Sequence, residues 1–91
     1  TCPNVTSEDC LQLNVFQKIS STPLPVMVFL PGGNFRQGGA STLIYDAREW
    51  VDASNFILVT VNYRLGALGF LVDPSVPVNL GIEDQRVALR W

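Results

Sequence analysis

Leu11-Gln12-Leu13-Asn14-Val15-Phe16 alternates apolar and polar residues, the period of a strand with one buried and one exposed face. The polar stretch from Lys18 to Pro25, with Ser20-Ser21-Thr22 and two prolines, predicts a turn or surface loop. Val26-Met27-Val28-Phe29-Leu30 is then apolar without interruption and bounded by prolines. Such a run predicts a strand covered on both faces, as strands of parallel sheets are. Phe56-Ile57-Leu58-Val59-Thr60-Val61 has the same apolar, β-branched character and predicts a second one. Between the two, Leu43, Ile44, Ala47, Trp50 and Val51 recur at helical spacing, with Arg48, Glu49 and Asp52 on the other side. That is the pattern of a short amphipathic helix.

Strand, loop, helix and strand make a βαβ unit, whose two strands are expected to be parallel with a right-handed crossover. The segment from Arg64 to Val78 is rich in Gly and Pro and predicts irregular structure. Gly81 to Trp91 predicts a helix that buries Ile82, Val87, Ala88 and Trp91. Its charges suit the helix dipole, with Glu83 and Asp84 in the first turn and Arg86 and Arg90 later. There is no internal repeat and no low-complexity tract.

Composition sharpens this picture. The 91 residues make at most one small domain, yet 47% are apolar and only 15% charged. A chain this short buries a modest fraction of its surface, so the balance suits a piece of a larger core. The net charge of −2 and the absence of a basic patch argue against nucleic acid as a partner. No apolar run approaches the ~20 residues that span a bilayer. A charged n-region followed by an apolar h-region is not seen at the start of the sequence, so a signal peptide is expected to lie upstream or to be absent.

Cys2 and Cys10 lie in a polar stretch that also holds the N-glycosylation sequon Asn4-Val5-Thr6. A sequon acts only in the secretory pathway, and cysteines in a loop beside it tilt the compartment toward secreted, extracellular or luminal. The bland alternative is two free thiols and an unmodified asparagine. With two thiols and no histidine, a zinc site is not expected.

Pro31-Gly32-Gly33-Asn34-Phe35 follows the first apolar strand, and Gly38-Gly39 stands close behind. A glycine-rich loop after a buried strand exposes backbone N–H groups to negative charge, because glycine lets the chain approach closely and adopt positive φ. Phosphate binding fails on spacing. Gly33 and Gly38 have the gap of a P-loop, but Gly39-Ala40 stands where lysine and a hydroxyl are required. No register of the four glycines supplies the dinucleotide fingerprint. Arg36 alone in a loop reads as a solvated charge.

Oxyanion stabilisation fits better. Ser7-Glu8-Asp9-Cys10-Leu11, the run from Pro25 to Phe35, Asn62-Tyr63-Arg64-Leu65-Gly66-Ala67-Leu68-Gly69-Phe70-Leu71 and Asn79-Leu80-Gly81-Ile82-Glu83-Asp84-Gln85 follow in order. Together they resemble the N-terminal part of the type-B carboxylesterase (cholinesterase-like) family, from Ser7 to Trp91. The resemblance implies an α/β chain that is a fragment of an α/β-hydrolase fold. It would hold the N-terminal strands, the oxyanion loop and the first helices of the central sheet, as one partial domain over 1–91 incomplete at both ends.

The resemblance further implies that Pro31-Gly32-Gly33-Asn34 matches the family's oxyanion loop, with the N–H groups of Gly33 and Asn34 as donors. An ester carbonyl oxygen gains negative charge in the tetrahedral transition state, and losing one donor typically costs ~10²–10³ in rate. Two residues depart from the family pattern. Pro31 stands for the usual His or Tyr, and Asn34 for a third glycine. Asparagine tolerates positive φ better than most residues, but its side chain would narrow the acyl site or add a donor. The alternative is that Gly32-Gly33 serve only a tight turn. Arg64 and Asp84 match a structural ion pair of the family, the alternative being two solvated charges. Glu8 matches a structural carboxylate whose partner arginine lies elsewhere. Cys10 matches a family cysteine, with Cys2 or an upstream residue as its partner.

Serine hydrolysis also requires a nucleophile on a G-x-S-x-G elbow, an acid and a histidine. No serine here has that context and the chain has no histidine. The family would carry all three beyond Trp91, so these residues alone are not catalytic. The expected function is thus part of a serine carboxylic ester hydrolase acting on a small-molecule ester, with no cofactor and no metal. The alternative is a non-catalytic cholinesterase-like adhesion or protein-binding domain.

Overall fold

A computed structural model describes residues 7–43 and 47–91. Strands β1 (Leu13–Phe16), β2 (Val26–Phe29) and β3 (Ile57–Val61) form one sheet in the order β1-β3-β2. A 3₁₀ turn (Ala40–Leu43) and helix α1 (Ala47–Ala53) connect β2 to β3, and helices α2 (Gly66–Phe70) and α3 (Leu80–Arg90) follow.

The βαβ reading holds: β2 and β3 pair in parallel, Val26 opposite Ile57 and Phe29 opposite Thr60. β1 lies antiparallel on the other edge of β3, with Leu13 opposite Val61 and Phe16 opposite Leu58. β3 is therefore the central strand, and its apolar run is buried on both faces from Leu58 to Val61. On one face α1 lays Ala47 and Val51, one helical turn apart, against Leu58, with Phe16, Phe29 and Phe56 packed around them. Thr60 is fully buried, and its hydroxyl accepts a hydrogen bond from the Asn14 side chain at 3.2 Å.

Four expectations are corrected. β2 is not covered on both faces. Val26, Met27 and Val28 are exposed, Val26 by 58%, because α1 packs chiefly on β1 and β3 and meets β2 only around Phe29. The helix begins at Ala47 rather than Leu43, which sits in the 3₁₀ turn, and Trp50 faces solvent. Ile44 lies outside the described residues. The segment Arg64–Val78 is not wholly irregular: Gly66, at φ 56°, opens the five-residue helix α2. Finally, α3 forms as expected, but Ile82, Val87 and Trp91 are exposed and only Ala88 is half-buried. Leu11, Leu13, Val61, Val87, Ala88 and Trp91 line an open groove of about 330 Å³ between α3 and the sheet.

Candidate functional site

The loop that leaves β2 turns sharply because four of its residues have positive φ: Gly33 (143°), Asn34 (55°), Phe35 (58°) and Gly38 (106°). Asparagine enters the left-handed region more readily than most side chains, whereas a bulky residue such as Phe35 does so only when the surroundings compel it. The turn is closed by the Gly33 carbonyl, which accepts from the N–H of Arg36 at 3.1 Å and of Gln37 at 3.2 Å. A Cβ on Gly33 would run into the Gln37 backbone, and one on Gly38 would lie 2.5 Å from the Gly32 oxygen, so both positions require glycine. Gly32 is different, since a Cβ there would meet nothing. Among the described residues, no acceptor bonds the N–H of Gly33 or Asn34. Two adjacent donors at an exposed turn are thereby left for another molecule or another part of a protein.

The Asn62–Phe70 segment brackets this loop at four points. The Tyr63 hydroxyl donates to the Pro31 carbonyl at 2.6 Å. The Asn62 side-chain oxygen accepts from the Ala40 N–H at 2.8 Å. The Gly66 N–H donates to the Phe35 carbonyl at 2.6 Å. The Phe35 and Phe70 rings meet edge to face, with centroids 5.1 Å apart. Pro31 has no N–H to offer, but its carbonyl is the group the bracket uses.

The bracket is in turn anchored to α3. Arg64 donates Nε to Asp84 Oδ2 and Nη2 to Asp84 Oδ1, both at 2.7 Å, and its backbone N–H reaches Oδ2 at 3.0 Å. This bidentate geometry suits the planar guanidinium. The Arg64 hydrogen bonds hold the Asp84 carboxyl below the usual carboxylate range, against the opposing pull of its burial. The same hydrogen bonds raise the Arg64 guanidinium. A Cβ on Gly69 or Gly81 would collide with the Arg64 carbonyl, so both helices approach the arginine backbone through glycine.

Gly32, Gly33 and Asn34 thus share one exposed turn, and Arg64 and Asp84 form one ion pair that steadies its support. The sequence reading did not assign Asn62, Tyr63 or Phe70 a role. Their signal was their place in one motif with Gly66, which turns at positive φ, and Gly69, which lets two backbones come close. Cys10 is a free thiol, and no disulfide occurs among the described residues. Cys2 and Asn4 lie outside them. No group of three or more metal-ligating side chains occurs among the described residues. Among the described residues, no helix is long and apolar enough to cross a membrane.

Comparison with known proteins gives one consistent answer. The Carboxylesterase family model matches residues 1–91. Esterase B1 of Culex pipiens is 45% identical over 93 residues, which take in 96% of this chain and 17% of that protein. Acetylcholinesterase of Gallus gallus is 46% identical over 89 residues, 93% of this chain and 12% of the relative. The Crystal protein of Dictyostelium discoideum is 48% identical over 95 residues, 100% of this chain and 17% of the relative. A solved PNB esterase superposes with a TM-score of 0.83 at 44% identity, covering 93% of this chain and 19% of its own. The chain spans less than a fifth of the length of each. Its sheet and helices are accordingly a portion of the α/β-hydrolase fold of the solved esterases. With the whole of its length matched by one family model, the chain belongs to the carboxylesterase family.

Proposed function

We propose that these residues are the oxyanion-loop segment of a serine carboxylic ester hydrolase. The observation that carries the reading is the pair of backbone N–H groups at Gly33 and Asn34, adjacent, unbonded among the described residues and held in a turn of positive φ. In this reading the serine nucleophile and the histidine lie outside these 91 residues, since the chain contains no histidine. The serine attacks the ester carbonyl, and the two N–H groups receive the charge that develops on its oxygen. Such donors act because they are fixed in place before the reaction and need not reorganise during it. Asn34 replaces a hydrogen with a polar side chain at the mouth of the site, so it sets the room available to the acyl group. Relatives named as esterases support a small-molecule ester as substrate.

The test is a pair of ketones presented to the full-length protein that carries this chain. A trifluoromethyl ketone adds the nucleophile and leaves an alkoxide in the oxyanion position; its methyl ketone counterpart does not. A preference of about a hundredfold or more for the fluorinated compound is expected, as for transition-state analogues. Asn34→Gly is expected to shift acyl-chain preference. A protein that hydrolyses no ester and shows no such preference is instead the non-catalytic adhesion or protein-binding domain.

A secreted, extracellular or luminal location belongs to the same proposal. Asn4 would carry a glycan, and Cys10 would pair with Cys2 or with a cysteine outside this chain. A mobility shift of the protein on treatment with an N-glycosidase tests the location, and Asn4→Gln should abolish the part due to this site.

A further inference from the structure

Phe35 occupies an expensive conformation for no gain in burial. Its φ is 58°, directly after Asn34 at 55°, yet the residue is 48% exposed. A bulky residue stays in the left-handed region only where its surroundings over-determine it. Two contacts do so here. The Phe35 carbonyl accepts the Gly66 N–H, and its ring stands at 61° to Phe70 across 5.1 Å. Phe70 closes α2, and its far side abuts α3. A Cβ on the buried Gly81 would lie 2.7 Å from Phe70 Cζ and 2.8 Å from Cε2. Only glycine lets the α3 backbone come against that ring. The Arg64–Asp84 pair, one helical turn along α3 from Gly81, keeps α3 there.

We propose that Phe70 is a positioning residue for the Gly33 and Asn34 donors. Wedged between the α3 backbone and the Phe35 ring, it holds Phe35 left-handed and so fixes the direction in which the two preceding N–H groups point. The inference rests on the oxyanion reading of those donors and extends it. The reaction gains because donors that wander cannot hold the geometry of the transition state; a misplacement of ~1 Å can cost on the order of a hundredfold.

Phe35→Leu and Phe70→Leu in the full-length protein test it. Each should lower kcat by about tenfold or more with KM changed less than about twofold, the split expected when only transition-state contacts are lost. The preference for a trifluoromethyl over a methyl ketone should fall by the same factor as kcat. The double variant should be no worse than the poorer single one, since both remove one contact. Phe35 is half-exposed, so Phe35→Leu should fold even if Phe70→Leu does not, and equal melting temperatures check this. A Phe35→Leu protein with unchanged kcat and unchanged ketone preference overturns the role of Phe70, as does a loss confined to KM. A wild-type protein with no ketone preference overturns the donor reading itself, and this inference with it.

Discussion

The bracket around the Gly33–Asn34 turn finds its partners within the chain, whereas the β2 flank of the sheet does not. Tyr63, Asn62, Gly66 and Arg64 each meet a named acceptor or donor, and Asp84 is 9% exposed against a guanidinium that is 32% exposed. β2, by contrast, presents Val26, Met27 and Val28 to solvent, as α3 presents Val87 and the residue after the helix, Trp91. Hydrogen bonds and glycine contacts are short-ranged and directional, so a few residues from two nearby segments complete them. Burying a strand on two faces takes whole neighbouring elements. The loop geometry is therefore specified more locally than the core that supports it.

The largest expected effect lies at the sheet. Leu58 is 2% exposed at the centre of the core cluster, and Leu58→Ala should destabilise the full-length protein by about 3 kcal/mol through lost burial and the cavity left behind. Denaturant titration checks it. If Leu58→Ala and Val28→Ala cost the same, the exposed flank of β2 is covered in the full-length protein as thoroughly as β3 is.

Asp84→Ala comes next. It strips Arg64 of both guanidinium bonds and of the partner to its backbone N–H. A cost of about 2 kcal/mol is expected, below that of a fully buried pair because the arginine is partly solvated. Under the proposed esterase function, ester turnover should fall with it, because the bracket loses its anchor on α3.

Acid should reproduce a smaller version of that loss. The Asp84 pKa is lowered on folding, so its contribution is complete above the unfolded carboxylate value of about 3.9. It is lost as pH falls from there through the lowered folded value. The stability gap between wild type and Asp84→Asn should hold steady at neutral pH and close below that point, which denaturant titrations across the acid range would show.

The smallest effect on stability should be that of Gly32→Ala. A Cβ there meets nothing and φ is not positive, so the melting temperature should stay unchanged. Turnover should nonetheless fall if substrate approaches the backbone at this point. Equal stability together with equal activity would remove Gly32 from the site.

Much of the fold was legible from period alone. The apolar run at Phe56–Val61 became β3 and the 3.6-residue pattern after Gly81 became α3, while the alternating run Leu11–Phe16 became β1 only from Leu13, with Leu11 and Val15 exposed rather than on a buried face. Glycines placed the turn, because positive φ and close backbone approach are properties of single residues and their immediate neighbours. The Val26–Phe29 run looked like Ile57–Val61, yet one lies at an edge and the other in the centre. Nothing in either segment encodes strand order, which depends on residues far away in the chain. Five residues with two glycines, Gly66–Phe70, were too short for a period to show, and their helix is seen only in three dimensions.

The motifs that resemble the carboxylesterase family, the order of the three strands, α1 and α3, and the Gly33–Asn34 turn were legible in the sequence. Whether an apolar residue is covered, that Tyr63 reaches Pro31, and that Phe70 stands between Gly81 and Phe35 were not. Those are contacts between segments tens of residues apart, and they exist only once the chain has brought the segments together.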